Sequence, residues 1–374
     1  MDLDDTLLPG KLRGGGGCCS RRCCCKGCFW MSFIFVSLGV LVLETSVWFE
    51  TTEEDFKSLI HEVETDPKYN DSMQTLLSYA AEQVALHQQA IKENMVKHGV
   101  QLVDSIYPGD GYNSVAYGGS YEVLTLLEKE GILKVGSIMG ASGGAASAFL
   151  ALSDTSAKKL LKYYMIYSLF LSKSWDLQLL RTSKVWDFMY EHAISDEESL
   201  KRVQERGYAV TKCGIRHYLP LGSPTKYNLV LHNCTSVKQC VESFAASGAF
   251  GIEPYTKGAS IDGVSEWFGT CSDAAAVTYF PKSSGSLLYY GSFYGHVSDC
   301  TLDSIDELFR NGVDATIATL ISDQLTGREE DTMQLVPKVT PADFEDLKNN
   351  YPGSIYPYIC DDEKFLDLGV LQHL

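Results

Sequence analysis

Hydrophobic and polar positions alternate along this chain with periods that change several times. Residues 28–43, CFWMSFIFVSLGVLVL, carry no charge at all, and Val47, Trp48 and Phe49 extend the apolar character past Glu44. Spanning a bilayer core takes about 20 apolar residues, so residues 28–49 read as a transmembrane signal-anchor. A cleaved signal peptide is the alternative, with an unusually long leader and no clean small-x-small site after Leu43. Between 52 and 98, Phe56, Leu59, Ile60 and Val63, and then Leu76, Leu77, Ala80, Ala81 and Val84, recur at helical spacing. Two lead-in helices are predicted there.

From residue 100 short apolar runs alternate with helical patterns. Val100–Ile106 predicts a strand, Pro108–Gly111 a turn, and 113–130 a helix closed near Gly131. Leu133–Met139 predicts a second strand, followed by a glycine turn and a helix from Ala145. Strand, helix, strand, helix implies a parallel sheet with crossover helices. Residues 155–205 read as mostly helical, Tyr208–Tyr218 and Tyr227–His232 as strands, and 236–246 as a helix. A late strand at Ala315–Leu320 and a terminal helix around Phe344–Leu347 complete the reading. The organisation is thus a tail (1–27), an anchor (28–49), a helical lead-in (50–99) and one α/β domain (100–374).

Charge sharpens the picture at the N-terminus. The whole chain stands at -17, but residues 1–49 hold five Lys/Arg and four Asp/Glu. The remainder, with 26 basic and 44 acidic residues, stands at -18. So acidic a body is repelled by nucleic acid and by anionic head groups. Basic residues precede the apolar run and Glu50, Glu53, Glu54 and Asp55 follow it, which places the tail in the cytosol and the body on the far side. Secretion after signal cleavage is the other outcome. Six of the twelve cysteines crowd into residues 18–28. Cys23, Cys24, Cys25 and Cys28 abut the apolar run and are candidates for lipidation. Cys25 and Cys28 have C-x-x-C spacing, but no second pair at finger spacing follows, so no metal site is assigned. The other six cysteines permit disulfides without specifying a pairing. Asn70-Asp71-Ser72 and Asn233-Cys234-Thr235 are glycosylation sequons if the body is lumenal. Asp2–Thr6 matches a phosphatase D-x-D-x-T loop but lacks the strand that would hold it.

The chemistry concentrates at Gly140-Ala141-Ser142-Gly143-Gly144. An apolar strand before it and an alanine-rich helix after it make Ser142 the candidate nucleophile of a G-x-S-x-G elbow. Gly140, Gly143 and Gly144 supply the small positions that such a turn needs. Gly109-Asp110-Gly111, between a strand and a helix, is the candidate oxyanion loop, with Gly118-Gly119 as competitor. Asp262, in Ile261-Asp262-Gly263, is the candidate base, unless it is an ordinary Asp-Gly turn. His296 and His373 follow in the chain order of a Ser-Asp-His triad. Tyr163, Tyr164, Tyr167 and Phe170 either line an acyl groove or belong to the core.

GASGGAASAFLAL resembles the elbow of the patatin-like phospholipases, a family related to the cytosolic phospholipase A2 catalytic domain. PGDGYNSVAYGGSYEVLTLLEKEGIL is similar to their oxyanion loop and helix. VESFAASGAFGIEPYTKGASIDG is similar to the A-S-x-A-x-P segment leading to the catalytic D-G, and ELFRNGVDATIATL to the closing helix-strand unit. Together these segments span residues 100–320. The resemblance implies a three-layer α/β/α sandwich with a mainly parallel sheet, and hydrolysis of lipid carboxylic esters through a Ser142–Asp262 dyad and an acyl-enzyme. It implies no cofactor and a membrane lipid substrate. Four departures stand out: Asp110 inside the glycine loop, Asn113 near the usual basic position, Gly251 for Pro, and Val264 for the second Gly. They leave room for a degenerate homologue that only binds lipid, while His296 and His373 keep open an α/β-hydrolase lipase with a triad.

Overall fold

The stretch after residue 51 folds into the two lead-in helices that the periodicity predicts. A computed structural model describes residues 52–109, 111–173, 178–214, 228–232, 234–248 and 300–322, with short pieces at 260–262, 265, 270–273, 286–290, 333–336 and 365–367. Helix α1 (Glu53–Thr65) opens on a capping box: Thr52 Oγ1 accepts from the Asp55 amide, and the Asp55 carboxylate accepts from the Thr52 amide. Its buried face is Phe56, Leu59, Ile60 and Val63. Helix α2 (Pro67–Lys97) starts on an Asp66 cap with Pro67 in its first turn, where a missing N–H costs nothing.

Strand β1 (Leu102–Tyr107) leads through a 3-10 turn (Gly111–Val115) into α3 (Ala116–Lys129). Gly131, at φ +69°, closes that helix. Strand β2 (Lys134–Ala141) and helix α4 (Gly143–Leu152) follow. Three helices, α5 (Lys158–Lys173), α6 (Gln178–Ala193) and α7 (Glu197–Arg206), lead to β3 (Gly207–Gly214) and β4 (Asn228–His232). Then come α8 (Val237–Ser247), β5 (Thr270–Ser272), β6 (Ser286–Tyr290), α9 (Leu302–Leu320), β7 (Met333–Val336) and β8 (Phe365–Asp367).

The result is a mixed α/β architecture around one sheet, in the order β7-β6-β1-β2-β3-β4-β8, with β5 on β3. All neighbours are parallel except β4 and β5, which run antiparallel to β3. The core sits between the sheet and its helices. Helix α4 is buried from Gly144 to Leu152 and has no polar face, as expected of a helix enclosed on all sides. Tyr163, Tyr164, Tyr167 and Phe170 are buried core, not the wall of a groove. Among the described residues no helix is long and apolar enough to cross a membrane. Residues 28–49, the lipidation candidates Cys23, Cys24, Cys25 and Cys28, and Phe344–Leu347 lie outside the described residues.

One predicted element changes type. Ala315–Leu320 is not a strand but the last turns of α9. Val313, Thr316 and Ile317 favour strands locally, yet Ile305, Leu308, Phe309, Gly312, Val313, Thr316 and Ile317 are buried at helical spacing. Burial of that stripe outweighs the small propensity penalty of β-branched residues. Asn94 Nδ2 caps the far end, donating to the carbonyls of Leu320 (2.9 Å) and Ser322 (2.8 Å).

Helices α3 and α9 touch backbone to backbone. A Cβ on Gly312 would lie 1.8 Å from Ala116 O, and one on Gly119 would lie 2.0 Å from Phe309 O. Gly118 and Gly119 therefore serve helix packing and not an oxyanion loop. Gly312→Ala should lower stability by about 1–3 kcal/mol from overpacking, partly offset by the ~1 kcal/mol that alanine gains in a helix; a urea unfolding midpoint reads the difference.

Candidate active site

Ser142 is the only non-glycine residue at positive φ among the described residues, at φ 52° and ψ -129°. Holding a side-chain-bearing residue there costs on the order of 1–3 kcal/mol, and surrounding structure must enforce it. The neighbouring glycines make that possible by letting backbones close in. A Cβ on Gly140 would stand 2.4 Å from Ala145 Cα, on Gly143 2.4 Å from Gly111 O, and on Gly144 2.0 Å from Tyr107 O. All three predicted elbow glycines are thus sterically required.

Ser142 is the N-cap of α4 without using its side chain. Its carbonyl accepts from the amides of Ala145 (2.9 Å) and Ala146 (3.3 Å), and its hydroxyl is left to face elsewhere. The amides at the start of α4 have no partner within the helix and form its positive end. At the other end, the carbonyls of Leu152 and Ser153 accept from Arg202, and Ser153 O also accepts from Lys159 Nζ. Cations there neutralise the negative pole.

The Ser142 hydroxyl donates to Asp273 Oδ2 at 2.8 Å. Sheet register explains why. Ala141, the last residue of β2, pairs with Val210 of β3. Beyond that point β3 runs on to Gly214 with its β2-side edge vacated. The opposite edge is occupied by β4, paired from Ala209 to Cys213. Strand β5 pairs with Lys212, Cys213 and Gly214, so it must fill the vacated edge, running antiparallel toward the end of β2. Ser272 sits opposite Lys212, and the next residue, Asp273, arrives at the level where Ser142 leaves the sheet. The Cys213–Cys271 disulfide fixes this pairing two residues before the carboxylate.

Asp262 is elsewhere, and this corrects the sequence expectation. It is exposed in a turn against the N-terminal part of α8. Lys238 Nζ lies 3.3 Å from its carboxylate, and its amide donates to Glu242. Ser247, at the other end of the same helix, touches Ser142. Asp262 meets Lys238, Gln239 and Glu242, between five and nine residues (about 7–14 Å of helical rise) before Ser247. Asp262 stands exposed in a turn, and the Ser142 hydroxyl is committed to Asp273. The rival signal lay in Thr270-Cys271-Ser272-Asp273-Ala274: a short β-prone run, a cysteine, then Asp before a small residue. Of the triad candidates, His296 and His373 lie outside the described residues.

The candidate oxyanion loop packs directly on the elbow. Gly111, at φ 53°, lies against Gly143, and Gly109 precedes it; Asp110 lies outside the described residues. Below the loop, Ser114 Oγ donates to Gly111 O (2.6 Å) and shares a hydrogen bond with Tyr164 OH (2.6 Å), which in turn meets Ser147 Oγ (2.9 Å). Tyr117 stacks on Tyr107 at 4.6 Å and donates to Pro108 O. Burial pushes the Tyr164 phenol far above its ordinary range, so it stays protonated and serves as scaffold. Asn113 is fully buried. No family model matches this chain, and no curated protein matches it.

Asp273→Asn should slow covalent labelling of Ser142 by a fluorophosphonate by about 10²–10⁴-fold, while Asp262→Asn stays within about twofold of the parent; the labelling rate, followed by mass spectrometry, separates the two carboxylates. Replacing Cys213 and Cys271 together by alanine opens a link of sequence separation 58. It should lower unfolding free energy by about 2–4 kcal/mol, measured by urea denaturation, and should slow Ser142 labelling as Asp273 loses its fixed approach.

Proposed function

We propose that this chain is a serine lipid-acyl hydrolase of the patatin-like type, cleaving carboxylic esters through a Ser142–Asp273 dyad. The observation that carries this reading is the 2.8 Å hydrogen bond from a strained, helix-capping serine to a carboxylate. Asp273 accepts the hydroxyl proton as Ser142 Oγ attacks the ester carbonyl. The oxyanion is met by amides of the Gly109–Gly111 loop and of Gly143, at the positive end of α4. Collapse expels the alcohol, protonated by Asp273, and leaves an acyl-serine. Asp273 then deprotonates a water that attacks the acyl carbonyl, and returns that proton to Ser142 Oγ as the C–Oγ bond breaks and the carboxylic acid departs. The steps call for no cofactor.

Direct contact between Oγ and the carboxylate favours a dyad over a triad, because a triad places an imidazole between the two. The finer fold that goes with this reading is a three-layer α/β/α sandwich. Placement at a membrane rests on residues 28–49, with a cytosolic tail lipidated at Cys23, Cys24, Cys25 or Cys28. Two disulfides among the described residues, Cys213–Cys271 and Cys234–Cys240, support an oxidising compartment for the body. Secretion after signal cleavage fits them equally. Buried Asn113 favours a second reading, a lipid-binding protein of this fold without turnover, since no cation stands at the usual basic position.

The test is acyl release by the full chain in detergent micelles on phospholipid, lysophospholipid and glyceride substrates. Turnover is expected with the parent and should fall at least about 10³-fold in Ser142→Ala. A folded parent that binds vesicles of these lipids without releasing acid would establish the second reading instead.

A further inference from the structure

The Ser142 amide does not point into the candidate oxyanion site. It donates to Ser247 Oγ at 3.1 Å, and that hydroxyl donates onward to the carbonyl of Val210 at 2.6 Å. Ser247 is fully buried at the last turn of α8. A serine hydroxyl has one proton to give and lone pairs to accept with, so both partners are matched in polarity. Val210 is the β3 residue that pairs with Ala141, at the last rung of the β2–β3 ladder. In a continuing parallel ladder the next amide would reach the neighbouring strand itself. At Ser142 the chain turns out of the sheet, and one inserted hydroxyl spans the gap.

We propose that Ser247 is a positioning residue for the serine chemistry: its hydroxyl replaces the ladder rung that Ser142 loses at the elbow. The inference rests on the hydrolase reading and deepens it. By tying the Ser142 amide to β3, Ser247 holds the backbone in its positive-φ conformation. The same strand β3 carries β5, and therefore Asp273. Nucleophile and carboxylate are thus both referenced to one strand, one through a hydroxyl and one through a disulfide-linked pairing. The tie also removes the Ser142 amide from the set of oxyanion donors, leaving Gly143 and the Gly109–Gly111 loop to supply them. Ala246-Ser247 is the A-S pair of the segment that resembles A-S-x-A-x-P, so the serine of that motif acquires a physical role here.

Ser247→Ala and Ser247→Cys remove the hydroxyl's bonds, and the cysteine variant nearly conserves its volume. Both are compared with the parent in the full chain by fluorophosphonate labelling of Ser142 followed to completion. Loss of the tie should slow labelling about 10- to 100-fold, as expected when buried polar partners are left unmatched, while the final labelled fraction stays at the parent's level. Labelling at the parent's rate in either folded variant overturns the positioning role and leaves the hydrolase reading standing. A reduced final fraction labelled at the parent's rate also overturns it, since that is the signature of partial unfolding alone. If the parent itself is not labelled at Ser142, the hydrolase reading fails and takes the positioning role with it.

Discussion

Everything at the candidate site depends on two strands of unequal reach. Strand β2 leaves the sheet at Ala141, while β3 continues to Gly214 with a row of backbone groups exposed along one edge. Unpaired edge groups in a buried setting must find partners. Strand β5 meets that demand over three residues, and Ser247 meets it at the step between. The satisfaction of an ordinary backbone requirement is what delivers a carboxylate to a serine hydroxyl.

The elbow is built from the opposite device, the removal of side chains. Gly140, Gly143 and Gly144 let α4, the β1 terminus and the Gly109–Gly111 loop approach to distances that a Cβ would forbid. Close approach sets the start of α4 directly against Tyr107, Pro108 and Gly111. In buried surroundings each dipole acts more strongly than it would in water. The α3–α9 contact uses glycine in the same way, but there only packing follows from it.

Much of this was legible in the sequence. Ser142 and its glycines were, because a strand-to-helix turn imposes a local pattern of small residues that periodicity on both sides confirms. The two lead-in helices and strands β1 to β4 were readable for the same reason. Asp262 misled because the pairing that brings a carboxylate to Ser142 is non-local. Nothing within ten residues of Asp273 tells that β3 outruns β2, or that Cys271 will meet Cys213. Ala315–Leu320 misled because β-branched residues suit a strand, whereas the burial stripe of α9 shows its helical period only over the full run from Ile305 to Leu320. Short strands such as β5, at three residues, carry too little pattern to be seen alone.

The 58-residue gap closed by Cys213–Cys271 has a consequence for how the protein comes into being. The serine, its helix and all three central strands are encoded by residue 214, so this half can take shape while synthesis continues. The carboxylate arrives some sixty residues later and is set only once its strand has docked and the thiols have been oxidised. The nascent chain therefore passes through a stage that holds Ser142 without the Ser247 hydroxyl and the Asp273 carboxylate that meet it. A chain made in this order cannot complete the Ser142–Asp273 contact until residue 273 has emerged.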